Sequence, residues 1–234
     1  SQLWRGPTPT DQQYKENKMI FNWFRVSADL LHLLSIFLLL RKIVVSKSCA
    51  GISLRTQELY ALVYLTRYVD IFWNHLYLYN TIMKLLFLGS SFATIYLMRY
   101  TYAASYRQHA AHDQSRVWII LVVCAVLALL VNDEFSISEI LWTFSIYLES
   151  VAIMPQLLLL QRTKQCDNIT SDYIFSLGAY RALYILNWIY RWATEDGYSQ
   201  WIVWIPGLIQ TGLYCDFFYY YVLSKWYNQE LVLP

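Results

Sequence analysis

Apolar residues come in long runs along this chain, and a run of about 20 is what a helix needs to cross a bilayer. Seven segments qualify: 21–44, 57–75, 78–98, 117–133, 138–161, 171–192 and 199–224. The clearest are 117–131 (VWIILVVCAVLALLV) and the stretch from Leu30 to Leu40, whereas several others carry charges in mid-span. Seven spans of about 20 residues use roughly 140 positions, leaving short loops and no room for a separate soluble domain.

Polar positions between the spans alternate in charge. The first connection holds Arg41, Lys42, Lys47 and Arg55; the third Arg99, Arg107 and Arg116; the fifth Arg162 and Lys164; the C-terminal end Lys225. The second, fourth and sixth hold no Lys or Arg, but do hold Asp133, Glu134, Glu195 and Asp196. The positive-inside rule makes the odd loops and the C-terminus cytoplasmic and the N-terminus lumenal. A six- or eight-span arrangement would break this pattern. Residues 1–18 (SQLWRGPTPTDQQYKENK) are polar, carry Pro7 and Pro9, and read as an extended tail without the apolar core of a signal peptide. A chain starting at Ser1 without Met reads as processed or trimmed.

Composition supports the membrane reading. Of 234 residues, 57% are hydrophobic and 15% charged, against about 25% charged in soluble domains. Aromatics reach 18%, with 21 Tyr and 10 Trp. Disordered, collagenous and nucleic-acid-binding classes are excluded, and a net charge of +2 leaves no basic face for phosphate backbones. The cysteines (Cys49, Cys124, Cys166, Cys215) show neither CxxC nor metal spacing, and His109 and His112 have no Cys nearby. Neither a disulfide framework nor a metal site is expected, and no cofactor.

Ionisable residues inside a membrane are costly and point to function. Arg25, Asp29 and His32 share one face of the first span at i, i+4 and i+7. Arg67 and Asp70 lie three apart in the second. The fifth carries Glu139, Trp142 and Glu149 near one face; the sixth carries Arg181, Tyr184, Trp188 and Arg191, flanked by Tyr180 and Asn187. The last holds Asp216. Singly, Arg25, Glu139 and Arg191 could snorkel to an interface, and Arg25–Asp29 or Arg67–Asp70 could be structural ion pairs. Together they imply a mixed-charge cavity, with Asp29, Asp70, Glu139, Glu149 and Asp216 as the acids that can balance the arginines. Such a cavity suits a short zwitterionic ligand with several carboxylates, because Arg binds carboxylates through a rigid fork. No phosphate loop, HExxH or GxSxG is present, so an enzyme is not expected.

Several stretches resemble the KDEL receptors, the ER lumenal protein retention receptors. They are Ser48–Ser53 (SCAGIS), Thr66-Arg67-Tyr68 with Asp70, Leu78-Tyr79-Asn80-Thr81, Glu139–Ser150 (EILWTFSIYLES), Tyr180–Tyr184 (YRALY) with Asn187-Trp188, and Tyr214–Tyr219 (YCDFFY). The resemblance runs from about Phe21 to Tyr221. Met154-Pro155-Gln156 also resembles the Pro-Gln motif of the PQ-loop and SWEET-like transporters. This implies an all-α membrane protein with two triple-helix bundles joined by a linking helix. The domains are then an extension at 1–18, a seven-helix domain at 19–225 and a short tail at 226–234.

The implied function is pH-dependent binding of C-terminal Lys/His-Asp-Glu-Leu signals for Golgi-to-ER return. By similarity, Arg67 and Tyr68 would hold the terminal carboxylate, and Arg25, Arg181 and Arg191 the acidic groups. Asp70 and Glu139 would meet the cationic end, with Trp142 as a ring face. Tyr184, Asn187 and Trp188 would line the pocket; His32, near Tyr180 and Glu149, would be the pH element. Expected partners are the tetrapeptide of lumenal proteins, membrane lipid and a vesicle coat. Three departures stand out: the extension, Gln200 where an Asp is common, and a tail with Lys225 alone instead of several Lys. They keep open two alternatives, a structural subunit of a larger membrane complex, in another organelle for instance, and a PQ-loop-type transporter.

Overall fold

The computed structural model describes residues 23–72, 78–164, 166–195, 201–227 and 231. The extension at 1–18, Gln200 and the side chains of Asp70 and His109 lie outside the described residues. Among the described residues the regular structure is helical, with one isolated β-bridge, Cys166 with Leu231, besides the turns and loops between helices.

The helices are α1 (Trp23–Ser46), α2 (Leu54–Arg67), α3 (Leu78–Tyr96), α4 (Ala103–His109), α5 (Val117–Leu130), α6 (Ile137–Val151), α7 (Met154–Thr163), α8 (Asn168–Thr194) and α9 (Trp201–Trp226). Their ends follow from local chemistry. Ser53, Ser136 and Asp167 sit at N-caps, their side chains accepting from Thr56, Glu139 and Thr170 amides. Ser136 with Glu139 has the spacing of a capping box. Lys47 and Lys164 take left-handed backbone where α1 and α7 end.

Two boundaries depart from expectation. The helix expected over 57–75 stops at Arg67 and gives way to a 3-10 turn at Val69–Phe72. Just before the stop, the Thr66 hydroxyl bonds back to the carbonyls of Leu62 (2.9 Å) and Val63 (3.2 Å), in competition with the helical ladder. The helix expected over 138–161 breaks at Ala152–Ile153, because Pro155 has no N–H to continue the ladder and opens α7 instead.

Among the described residues two helices are long and apolar enough to cross a membrane, Leu78–Thr101 (α3 with its π-helical end) and Ile137–Thr163 (α6 with α7), and Val117–Leu130 is apolar but shorter. Large apolar side chains face outward on several helices, including Leu85, Leu86 and Phe92 on α3 and Leu208, Tyr219 and Val222 on α9. In water such faces would be sticky patches; against lipid they are the proper exterior.

α2 is buried along most of its length and packs against α3 and α6, while α1 runs along α8 in the most extensive pairing. α9 packs on α8 and α6, and α5 leans on α6. The Pro-Gln pair pins the centre. Gln156, fully buried, accepts the Ser53 amide (2.8 Å) and donates to the Gly51 carbonyl (2.8 Å), and its own amide donates to the Thr56 hydroxyl (2.9 Å). Gly51 takes the left-handed φ of +78° that this turn needs. Buried Asp113 completes the clasp by accepting from the Ser53 hydroxyl (2.7 Å) and the Tyr106 phenol (3.0 Å).

Candidate functional site

The charges on the inward faces of α1, α2, α6 and α8 converge on a cavity of about 400 Å³. From α1 come Arg25, Asp29 and His32; from α2, Tyr64, Arg67 and Tyr68. α6 adds Trp142 and Glu149, and α8 adds Tyr180, Arg181, Tyr184 and Trp188. A recess of about 360 Å³ shares Arg67, Tyr68 and Trp142 with it and adds Lys84, Ser138 and Glu139.

Glu149 is the electrostatic centre. Its side chain is 4% exposed and receives Arg67 Nη1 on Oε2. Arg181 Nη1 (3.4 Å) and the Tyr180 phenol (2.7 Å) donate to Oε1. Two guanidiniums thus share one carboxylate, leaving a surplus positive charge. Arg67 Nε donates to the Ser145 hydroxyl (3.0 Å), but Arg67 Nη2 and Arg181 Nε are buried with no hydrogen-bond partner among the described residues. The Arg181 guanidinium also lies over the Trp188 ring, 5.3 Å from its centroid.

His32 is buried in an aromatic stack, with Tyr180 on one face (centroids 4.3 Å apart) and Phe87 4.4 Å away. Its Nε2 lies 2.9 Å from the Tyr64 phenol oxygen. Tyr180 therefore touches both His32 and Glu149. Asp29 does not pair with Arg25. It accepts from the phenols of Tyr79 (2.8 Å) and Tyr184, while Arg25 donates to the Asn80 side chain (3.2 Å). Arg67 likewise goes to Glu149, across to another helix.

The sequence-derived site residues are not all brought together. Glu139 sits in the recess, accepting from the Thr143 hydroxyl (3.1 Å). Asn187 is buried but outside the cavity lining. Arg191 also lies outside the lining and donates to Glu195 one turn on, at 2.9 to 3.1 Å. Asp216 is exposed, since α9 buries the face carrying Gly207, Gln210, Tyr214 and Phe217. It cannot balance the arginines. Asp70 lies on the 3-10 turn, with its side chain outside the described part.

Sequence reasoning passed over Tyr64, Phe87 and Ser145 as site residues, and Lys84 in the recess. Tyr79 and Asn80 were within reach, because they belong to a quoted motif; Phe87 carries no local signal.

Residues 48–191 match the model of a family described as "ER lumen protein retaining receptor". The chain is 55% identical over 213 residues to ER lumen protein-retaining receptor B of Arabidopsis thaliana, covering 91% of this chain and 99% of that protein. It is 54% identical over 216 residues to the Entamoeba histolytica ER lumen protein-retaining receptor, covering 92% and 100%. The corresponding protein of Drosophila melanogaster is 52% identical over 213 residues, covering 91% and 99%.

Proposed function

We propose that this chain, which belongs to the ER lumen protein-retaining receptor family, binds the C-terminal Lys/His-Asp-Glu-Leu signals of lumenal proteins in its central cavity and returns them to the ER. The family is one of receptors, not enzymes. That membership favours the receptor over a structural subunit or a solute transporter. The observation that carries the reading is the pair Arg67, half-buried, and Arg181, buried, which share Glu149 and keep N–H groups without a partner among the described residues. An incoming carboxylate takes up those donors and offsets the surplus charge. Arg67 with Tyr68 holds the terminal carboxylate, Arg25 and Arg181 meet the acidic side chains, and Glu139 beside Trp142 receives the cationic end.

In this reading the protein spans ER and Golgi membranes seven times. α1 to α3 form one bundle, α6 with α7, α8 and α9 the other, and α5 links them. The N-terminus is lumenal and the C-terminus cytoplasmic. His32 is the pH element. The groups facing it are Tyr64, Tyr180 and Phe87, with Glu149, Arg181 and Arg67 in electrostatic range. Charging the imidazole adds a third cation beside two arginines, which draws ligand carboxylates more strongly. On the cytoplasmic side Lys225 is paired with Asp172 (3.0 Å), so its contact with a vesicle coat requires that pair to open.

The test is binding of a labelled peptide ending in Lys-Asp-Glu-Leu to the purified receptor at about pH 5.5 and 7.4, values that bracket the histidine reference. Binding should be tighter in acid and lost on C-terminal amidation. A folded protein that binds at neither pH refutes the receptor reading, and a His32→Ala variant that keeps full acid dependence refutes the switch.

A further inference from the structure

A second concavity lies on the opposite face of α6 from the charged cavity and shares no lining residue with it. α5 and α9 both pack on α6 and border a groove of about 490 Å³ floored by α6. Its walls are Ile119, Val123 and Leu127 of α5 and Ile202, Ile205 and Ile209 of α9. The polar groups on its floor are already used: the Ser150 hydroxyl donates to the Tyr147 carbonyl (2.7 Å), and the Tyr147 phenol to the Val131 carbonyl (3.0 Å). A ligand here gains only by burying hydrocarbon.

Shape narrows the choice. Lining residues run from Ile119 to Val131, which is about 18 Å of helix. Dividing the volume by that length gives a mean cross-section of roughly 27 Å². A groove this long and narrow accommodates one extended hydrocarbon chain. The two ends differ in charge. Exposed Arg116 stands one turn from Ile120 at one end, and Arg162 is held nearby by the carbonyls of His112 (2.9 Å) and Gln114 (3.4 Å). At the other end Asp133 and Glu134 are exposed. A phosphate is attracted to the first end and repelled from the second.

We propose that the groove between α5 and α9 seats one acyl chain of an anionic phospholipid, with the phosphate at Arg116. With the orientation proposed above, Arg116 places this lipid in the cytoplasmic leaflet; that assignment rests on the proposed orientation, and the site itself does not. By wedging α5 from α9, the chain sets the spacing of the helix that links the two bundles.

The test places the full-length receptor in phosphatidylcholine liposomes doped with phosphatidylserine that carries a diazirine midway along one chain. After photolysis, adducts are mapped by digestion and mass spectrometry. The expected result is severalfold enrichment on 119–131 and 201–209 over the lipid-facing Leu85, Leu86 and Phe92. Val123→Trp, which fills the groove, should remove that enrichment while peptide binding persists; if it does not fold, Ile209→Trp serves. Arg116→Gln should abolish the preference over a phosphatidylcholine with the same diazirine. Even labelling of all lipid-facing helices overturns the site. A photoreactive sterol enriched there and displaced by Val123→Trp overturns the acyl-chain assignment, and equal labelling by both headgroups overturns the role of Arg116.

Discussion

Replacing Glu149 with Gln removes one negative charge at nearly constant volume and strands two guanidiniums. Both Arg67 and Arg181 pair with Glu149, through side chains 20% and 6% exposed. Breaking a buried ion pair from one side costs about 3–5 kcal/mol, because the remaining charge stays desolvated. Arg67 can turn toward the cavity, so most of the penalty falls on Arg181, and the lower end, about 3 kcal/mol, applies. For a chain of this length each kcal/mol lowers the melting temperature by about 2–4 °C, so the variant should melt roughly 6–12 °C below the parent. The measurement is a thermal melt in detergent at neutral pH, followed by size-exclusion fluorescence. A double-mutant cycle with Arg181→Met isolates the pair: removing both partners should cost less than the sum by at least about 1.5 kcal/mol. A Glu149→Gln receptor melting within about 2 °C of the parent, or a cycle with no coupling, would refute the account of Glu149 as counter-charge.

Other consequences are separable. A Cβ at Gly207 would sit 2.5 Å from Trp188 Cζ3, so Gly207→Ala drives the indole that underlies Arg181 toward the cavity. Peptide affinity should fall about tenfold, which is 1.4 kcal/mol, and an unchanged Kd would show that Trp188 has room to yield. Gln156→Leu leaves the Ser53 amide and the Gly51 carbonyl unpaired; at about 1–3 kcal/mol for each buried group it should sharply reduce the folded fraction, and parent-like yield and melting would contradict this. Burial pushes the Asp167 carboxyl up, but the hydrogen bonds from Thr170 and Lys42 outweigh it and hold the group below its ordinary value of 3.8. A depressed carboxylate contributes stability above its unfolded pKa and loses it as pH falls through the folded value. Asp167→Asn should therefore melt below the parent near neutrality, with the gap closing below about pH 4, and a gap independent of pH would exclude this linkage.

The helix positions were legible because long apolar runs are a local signal, and the inward charges were legible because i, i+4 and i+7 fix a face whatever lies opposite. What those charges touch was not. Arg67 meets Glu149 across 82 residues and Tyr184 meets Asp29 across 155, and no periodicity encodes such pairings. Nearness in sequence misled at Arg25–Asp29, which looked like partners but turn to Asn80 and to the phenols of Tyr79 and Tyr184. Two departures had local warning: Glu195 stands at i+4 from Arg191, and Pro155 interrupts the fifth apolar run. Asp216 had none, because apolar residues surround it on both sides and only the packing of α9 shows which of them turn inward.

On the proposed function, acid-dependent binding would follow from the charge count of the cavity more than from any one contact. Among the described side chains that line the cavity and its recess, the cations are Arg25, Arg67, Arg181 and Lys84, and the acids are Asp29, Glu139 and Glu149. The lining therefore carries one surplus positive charge while His32 is neutral. A Lys-Asp-Glu-Leu terminus carries one cation against three carboxylates, a surplus of two negative charges. Protonating His32 raises the lining's surplus to two and matches the ligand. The imidazole need not touch the peptide to do this. Stacked between Tyr180 and Phe87 it stays buried, where a charge on it would be screened less than in water in its effect on Arg67 and Arg181. Without the peptide, three cations would face a single adjacent carboxylate. On the proposed role of His32, the ligand would favour protonation of the imidazole as that protonation favours the ligand, because linkage makes the coupling reciprocal.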